Sequence, residues 1–537
     1  MMRNERGEIM GSIEANHISL SIGARCLFEV SHLSVQPRAR IGIVGRNGSG
    51  KSTLLKVLSG AIDPDSGHVN RKGIIAHIPQ FTQWNSHLSG GEMMRKYISE
   101  ALRKNADILF ADEPTTHLDV EAIEALESEI KQFTGACVII SHDRTFLKRT
   151  CQTIWEINNQ TVAVFNGGYD AYAAQKADLE KQAWDDYHQY EQKKKQLEQA
   201  IQSKQQRAQG ATKVPKGIGA NEAANFKHHY QGKQKKLDQN AKTMQKRLDQ
   251  LEVKQRPESA ESIQLSLPFA DKLRNKSVIH ADYFSKSIGN KALWKDAYFY
   301  MNGGDKIGLV GANGSGKSTF LKAVVENEEG LKLSPSLRIG YLSQKLSELD
   351  EDKDILNFIK AHSEHDETLI RTVLARMHFR RDSVYKKIAV LSGGEKVKVA
   401  LCQLILSPFN LLILDEPTNS LDIESIEALE QLLKDYEGTS IIVSHDREFL
   451  ANVTNKILYL SDQQLKLFNE DYHHFVKTLE QPEVTEDKTA LRNQLMLIEN
   501  RISDILSRLS LNPSDELDAQ FQEYLKEKRT ILEKLNE

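Results

Sequence analysis

Two stretches of this 537-residue chain carry the spacing that phosphate chemistry needs. Gly45-Arg46-Asn47-Gly48-Ser49-Gly50-Lys51-Ser52 fits G-x-x-x-x-G-K-[ST], and Gly311 through Ser318 fits it again. A phosphate is bulky and anionic, so a loop that holds one must bring backbone N–H groups close around it. Gly45, Gly48 and Gly50, and Gly311, Gly314 and Gly316, permit that approach. The helix that follows adds the positive end of its dipole. Lys51 and Lys317 would reach the β- and γ-phosphates of a nucleotide, and Ser52 and Ser318 would ligate Mg²⁺. Asn47, Ser49 and Thr53 complete the first candidate phosphate-binding loop, and Asn313, Ser315 and Thr319 the second. A glycine-rich surface turn is the plain alternative. It is disfavoured because each loop follows an apolar run and precedes a helical pattern.

Carboxylates supply the other half of the chemistry. Asp112 and Asp415 each end an apolar run and are followed by Glu113 and Glu416. The aspartate suits Mg²⁺ coordination, and the glutamate can polarise an attacking water as general base. A carboxylate pair after a strand can also be a helix cap or loop solvation; downstream of a phosphate loop that reading recedes.

The elements that must position these groups come in duplicate. LSGGE occurs at Leu88 and Leu391, and FADEPTTHLD from Phe110 is matched by LDEPTNSLD from Leu414. IISHDRTFL from Ile139 is matched by IVSHDREFL from Ile442. Four motifs recur in one order, offset by 266 residues between Lys51 and Lys317, so the chain holds two copies of one domain. IGIVG (41–45), ILFAD (108–112) and their counterparts read as strands, the latter buried on both faces. Strands alternating with helices predict an α/β fold.

Between the copies, residues 172–258 are rich in Lys, Gln and Glu. Tyr187, Tyr190, Lys194, Leu197 and Ile201 step by three and four, as do Leu237, Ala241, Met244, Leu248 and Leu251. Glycine and proline interrupt residues 210–226. The pattern predicts a long antiparallel helical hairpin with a tip at about 211–226. Its first helix, from about Tyr172 to Ala208, would reach ~55 Å. The expected organisation is one α/β domain over 10–171, the hairpin over 172–258, a second α/β domain over 275–478 and a helical extension over 483–537.

Composition sets bounds. Hydrophobic residues make up 39% and charged residues 27%, which predicts a globular chain. No run of ~18 apolar residues is present, so no membrane-spanning helix is expected. Residues 1–17 lack an apolar core and cleavage site; Met10 is an alternative start to Met1. Cys26, Cys137, Cys151 and Cys402 have no metal spacing and fit a reducing cytosol. The net charge of −3 hides an asymmetry. Residues 200–247 carry eleven Lys or Arg against Glu222 and Asp238, a local +9 that leaves −12 on the remainder. A basic projection on an acidic body is a polyanion-binding footprint. Lys204, Arg207, Lys213, Lys216, Lys227, Lys233, Lys235 and Lys236 are the candidate RNA contacts. Val214, Ile218 and Phe226 are apolar tip residues that could equally pack the loop on itself.

Phosphate loop, a glutamine after a strand (Gln80, Gln344), LSGGE, DEP and SHD together resemble the ATP-binding-cassette ATPases. The resemblance implies head-to-tail closure. Ser89, Gly90 and Gly91 would cap ATP held by the second copy, and Ser392, Gly393 and Gly394 ATP held by the first. It also implies that Gln80 and Gln344 join the Mg²⁺ and nucleotide ligands, and that His142 and His445 contact the γ-phosphate beside Glu113 and Glu416. The adenine-stacking aromatic is replaced by Ile22 and Ile288.

Such domains usually drive membrane transport, and a transporter subunit is one alternative. The stretch from glutamine to signature, where a membrane partner normally docks, is 7 residues in copy one and 46 in copy two, so two equal docking surfaces are not expected. Tandem copies with this linker, and the patterns DEPTTHLD and DEPTNSLD, resemble the ABC-F proteins, cytosolic translation factors. The short first insertion, ETLIRTVLARMHF (367–379) and SRLSLNPSDEL (507–517) are similar to the Vga-type antibiotic-resistance subgroup. That resemblance implies a cytoplasmic, monomeric factor that binds the E site of the 70S ribosome. Its linker would point at P-site tRNA and the 23S rRNA of the peptidyl-transferase centre, giving resistance to lincosamides, streptogramin A and pleuromutilins. A housekeeping ABC-F factor that resolves stalled ribosomes is the other alternative. A DNA-repair ATPase is disfavoured, since neither zinc cysteines nor a far longer coiled coil is present.

Overall fold

The computed structural model describes residues 11–80, 106–210, 242–254, 276–342, 349–480 and 515–536, apart from Ala24, His117 and Asn290. Short helical pieces within 96–103, 235–240 and 494–506 are described as well. The chain divides into two compact units. One comprises Met1–Asp170 with Gln264–Glu537 and holds both repeats; the other is Ala171–Ile263.

The first repeat contains β1 (Ser12–Ile22), β2 (Arg25–Val35), β3 (Arg40–Gly45), β4 (Ser66–Lys72) and β5 (Ile75–Ile78). It continues with β6 (Ile108–Asp112), β7 (Ala136–Ile140), β8 (Thr153–Asn158) and β9 (Thr161–Asn166). These form one sheet in the order β4-β1-β2-β9-β8-β3-β7-β6-β5. The run β5-β6-β7-β3-β8 is parallel, whereas β1, β2 and β4 pair antiparallel.

The second repeat contains β10 (Ser277–Ile288), β11 (Lys291–Asn302), β12 (Lys306–Gly311), β13 (Leu331–Leu333) and β14 (Ile339–Leu342). Then come β15 (Leu411–Asp415), β16 (Thr439–Val443), β17 (Lys456–Ser461) and β18 (Gln464–Phe468). The run β14-β15-β16-β12-β17 is again parallel, and β11-β10-β13 form a separate antiparallel sheet. The chain is thus a tandem α/β protein, as the repeat predicted.

All five residues of β6, β7, β15 and β16 are buried. Helices on both faces of a parallel sheet exclude water from both sides, which is why these strands read as unbroken apolar runs. Phe28, Phe110 and Trp155 anchor the first core, and Trp294, Phe299 and Phe320 the second. The second repeat adds the helices Ile355–Lys360, Glu367–Arg376 and Gly393–Leu406, whose Phe358, Leu374 and Leu401 share one core with Leu412 and Leu429. The matching stretch 81–95 of the first repeat lies outside the described residues.

Helix Gly168–Gly210 begins earlier than the expected Tyr172, its first three residues belonging to the first unit and the rest to the other, in which 242–249 are also helical. Lys204 and Arg207 lie on the long helix, and Lys235 and Lys236 in a helical piece. Lys213, Lys216, Lys227, Lys233, Val214, Ile218 and Phe226 lie outside the described residues. The C-terminal helix runs Asp515–Asn536. Among the described residues no helix is long and apolar enough to cross a membrane.

Candidate functional site

β3 lies between β7 and β8, and β12 between β16 and β17, all parallel. Ligands of such sheets bind beyond the carboxyl ends of the strands. The two phosphate loops leave the sheet there. Gly48 and Gly50 have φ of 74° and 98°, and Gly314 and Gly316 of 74° and 117°, the left-handed region that favours glycine. Helices Lys51–Ser59 and Lys317–Glu326 begin without a side-chain cap. In contrast, Asp119, Asp143, Asp422 and Asp446 cap the helices Val120–Gln132, Arg144–Thr150, Ile423–Asp435 and Arg447–Val453. The uncapped first turns keep their N–H groups for an anion. Lys51 Nζ donates to the carbonyls of Gly45 (2.7 Å) and Arg46 (3.2 Å). Lys317 Nζ donates to those of Gly311 (2.8 Å) and Ala312 (3.0 Å). Burial lowers the pKa of both lysines, opposed chiefly by Glu113 and Glu416 respectively.

Asp112 ends β6 and Asp415 ends β15. Burial raises both carboxyls, while hydrogen bonds to Ser52 and Ser318 act the other way. Asp112 Oδ1 is buried without a hydrogen-bond partner. A serine hydroxyl beside a carboxylate with one open oxygen fits a small divalent cation that keeps most of its shell as phosphate and water oxygens. Gln80 borders the same cleft; Gln344 lies outside the described residues.

The next residue in each repeat is bent. Glu113 has φ of 51° and Glu416 of 53°, unusual for a residue with a side chain. Glu113 Oε2 accepts from the His142 backbone N–H (3.3 Å), and its Oε1 is 3.2 Å from His142 Nε2. Glu416 Oε1 is 3.3 Å from His445 Nε2. Burial pushes Glu113 up to about 7 and raises Glu416 as well, while burial and then Lys51 lower His142 to about 3. His142 is therefore neutral beside a carboxylate poised to take a proton.

The repeats meet across these loops. Asn47 N–H donates to Asp422 Oδ2 (2.9 Å) and its Nδ2 to the Ser420 carbonyl (2.7 Å). Asn313 N–H donates to Asp119 Oδ2 (3.2 Å), the same contact in reverse. Arg46 Nε pairs with Glu424 at 2.7 Å. Each of these aspartates thus caps its own helix with one oxygen and holds the opposite phosphate loop with the other. Sequence reading placed Asp119 and Asp422 inside a pattern but missed this double use. Their recurrence at one motif position was the available signal, and the partner was not.

Ser392 opens helix Gly393–Leu406 in a capping box with Glu395. A Cβ on Gly394 would lie 3.1 Å from Asn47 Nδ2, so the second signature faces the first loop. A cleft of about 1330 Å³ is lined by Lys51, Lys317, Asp112, Asp415, Gly393 and Gly394, among others. Ser89, Gly90 and Gly91 lie outside the described residues. Ile288 borders the cleft, and Ile22 is 63% exposed.

This doubled, facing arrangement can be compared with known proteins. The sequence profile of the ABC transporter family matches residues 28–86 and 294–419. The ribosome protection protein VmlR of Bacillus subtilis is 31% identical, over 96% of this chain and 97% of its own. The chain belongs to the ABC-F family. The erythromycin resistance ATP-binding protein MsrA of Staphylococcus epidermidis is 30% identical, over 84% of this chain and 98% of its own. Among solved structures, the archaeal ribosome recycling factor aABCE1, in complex with stalk protein aP1, superposes with a TM-score of 0.57. It covers 86% of this chain and 92% of that one at 18% identity, a likeness of fold. This ABC-F protein is an ATPase with tandem cassettes, and ATP is its nucleotide.

Proposed function

We propose that this ABC-F ATPase is a ribosome protection factor. The observation that carries the reading is the match along nearly the whole chain, linker included, to a relative described as a ribosome protection protein. The +9 charge of residues 200–247 supports it, since phosphate-rich RNA is the polyanion such a segment suits.

ATP would lie between the loop around Lys51 and Ser392–Gly394, and between the loop around Lys317 and Ser89–Gly91. Ser52, Asp112 and Gln80, and Ser318, Asp415 and Gln344, would hold Mg²⁺, which when bound offsets phosphate charge. Glu113 and Glu416 accept the proton of the attacking water, and His142 and His445 hold those carboxylates toward the γ-phosphate. Closure on ATP delivers the linker to the E site of the 70S ribosome. Lys204, Arg207, Lys213, Lys216, Lys227, Lys233, Lys235 and Lys236 meet phosphates of 23S rRNA and P-site tRNA. The tip at 211–226 disturbs the peptidyl-transferase centre and dislodges lincosamides, streptogramin A and pleuromutilins. Hydrolysis then releases the factor, a cytoplasmic monomer.

The double variant Glu113→Gln with Glu416→Gln should bind ATP without turnover and co-sediment with ribosomes. If it stays in the supernatant with ATP present, the reading fails. Shortening 211–226 should abolish drug resistance and spare ATP hydrolysis; unchanged drug tolerance would remove the tip from the mechanism.

A further inference from the structure

Away from the phosphate loops, a buried ionic lattice joins the cassettes. Arg144 directly follows Ser141-His142-Asp143; its guanidinium pairs with Glu430 of the second cassette and lies 3.9 Å from Asp446. Arg447 follows Ser444-His445-Asp446; it pairs with Glu127 of the first cassette and lies 3.4 Å from Glu124. The side chains of Arg144, Glu430, Arg447 and Glu127 are 4%, 5%, 7% and 4% exposed. At that depth water cannot replace a lost partner, so each charge depends on its opposite number.

The contacts close into rings. Glu113 touches His142, and Arg144 stands two residues further on. Its partner Glu430 lies on helix Ile423–Asp435, whose cap Asp422 accepts from Asn47 in the first phosphate loop. The first ring therefore starts and ends at one ATP site. The second runs from Glu416 through His445, Arg447, Glu127, helix Val120–Gln132 and Asp119 to Asn313. A helix is stiff along its axis, so fixing Glu430 fixes Asp422, ~12 Å away.

We propose that Arg144 and Arg447 are positioning residues for hydrolysis, each holding the opposite cassette closed over its own ATP site. Neither borders the nucleotide cleft. They act through the cap aspartates, which set where the facing loop and signature stand when water attacks. ATP still binds its lysine loop without them, so the loss falls on the chemical step.

The test uses the full chain and single-turnover hydrolysis. It rests on Glu113 and Glu416 as the catalytic glutamates. With Glu416→Gln the first site reports: Arg144→Gln slows it roughly tenfold or more, and Arg447→Gln less than about twofold. With Glu113→Gln the second site reports, and the two arginines exchange roles. The KM for ATP moves little. Arg144→Gln combined with Glu430→Gln is no slower than Arg144→Gln alone, because one interaction is lost once. Glu430→Gln, which keeps the side-chain shape, shows the same site preference and serves if Arg144→Gln folds poorly. Equal slowing of both sites, slowing of neither, or additive loss in the double variant overturns the latch alone. Full activity of Glu113→Gln with Glu416→Gln overturns the glutamate assignment and the latch with it.

Discussion

Arg46 in the first phosphate loop reaches Glu424 across the boundary, while the second loop has Ala312 at that position and a methyl in place of a guanidinium. Behind the loops the imbalance reverses. Glu127 is held by Arg447 and also by Arg149 (3.0 Å), whereas Glu430 is held by Arg144 and the neutral amide of Asn452 (3.1 Å). The described reacting groups keep the same types and contacts in both cassettes: lysine on loop carbonyls, aspartate on serine, glutamate on histidine. Duplicated chemistry is thus joined by unequal seams, so the two sites differ in what surrounds them at the boundary more than in the described groups that react.

The harshest way to break this comparison is Gly394→Val. A Cβ there would collide with the Ser420 carbonyl and lie 3.1 Å from Asn47 Nδ2. The first site should lose on the order of a hundredfold in single-turnover rate, as expected when reacting groups are misplaced by an ångström. The second site should lose far less, read in the Glu113→Gln background. Asp422→Ala comes next, because it removes a helix cap and a cross-cassette acceptor together. A loss of about 1–2 kcal/mol in unfolding free energy is expected from the cap, with slowing confined to the first site. Asp119→Ala should mirror it at the second.

Asp143→Asn probes the seam through pH. Burial, and then Asp446, raise the Asp143 carboxyl. A carboxyl raised on folding costs stability once pH exceeds its unfolded value near 3.9, and the cost grows until the folded group is ionised. The asparagine variant should therefore melt a few degrees higher at pH 7.5 and show no gain at pH 4. Asp446→Asn should gain less, because Arg144 is the leading charge on Asp446 and favours its ionised form. The smallest expected effect is Arg46→Ala. Arg46 is 42% exposed, so the pair with Glu424 contributes about 0.2–1 kcal/mol. A few-fold fall in first-site rate is expected, and Ala312→Arg should narrow the gap by reaching for Glu121.

Much of the site was legible because its signals are local. A phosphate loop is one strand end, one turn and one helix start, so eight residues around Lys51 reveal it. The runs ending at Asp112 and Asp415 were readable because a strand covered on both faces must be apolar throughout. The lattice was not readable. Arg144 and Glu430 are 286 residues apart and Arg447 and Glu127 320, and nothing in their neighbourhoods marks them as partners. Nor was the left-handed bend at Glu113 and Glu416, since these are not residues that favour it. The antiparallel β1, β2 and β4 also escaped, because the motifs that drew attention all sit on the parallel run.

That bend has a consequence for heat resistance. Holding a glutamate in a glycine-like backbone conformation costs on the order of 1 kcal/mol or more at each position. Glycine at 113 or 416 would relax the turn and discard the reactive carboxyl. Selection for survival on heating alone, blind to turnover, should therefore enrich sturdy but idle proteins altered at these two positions.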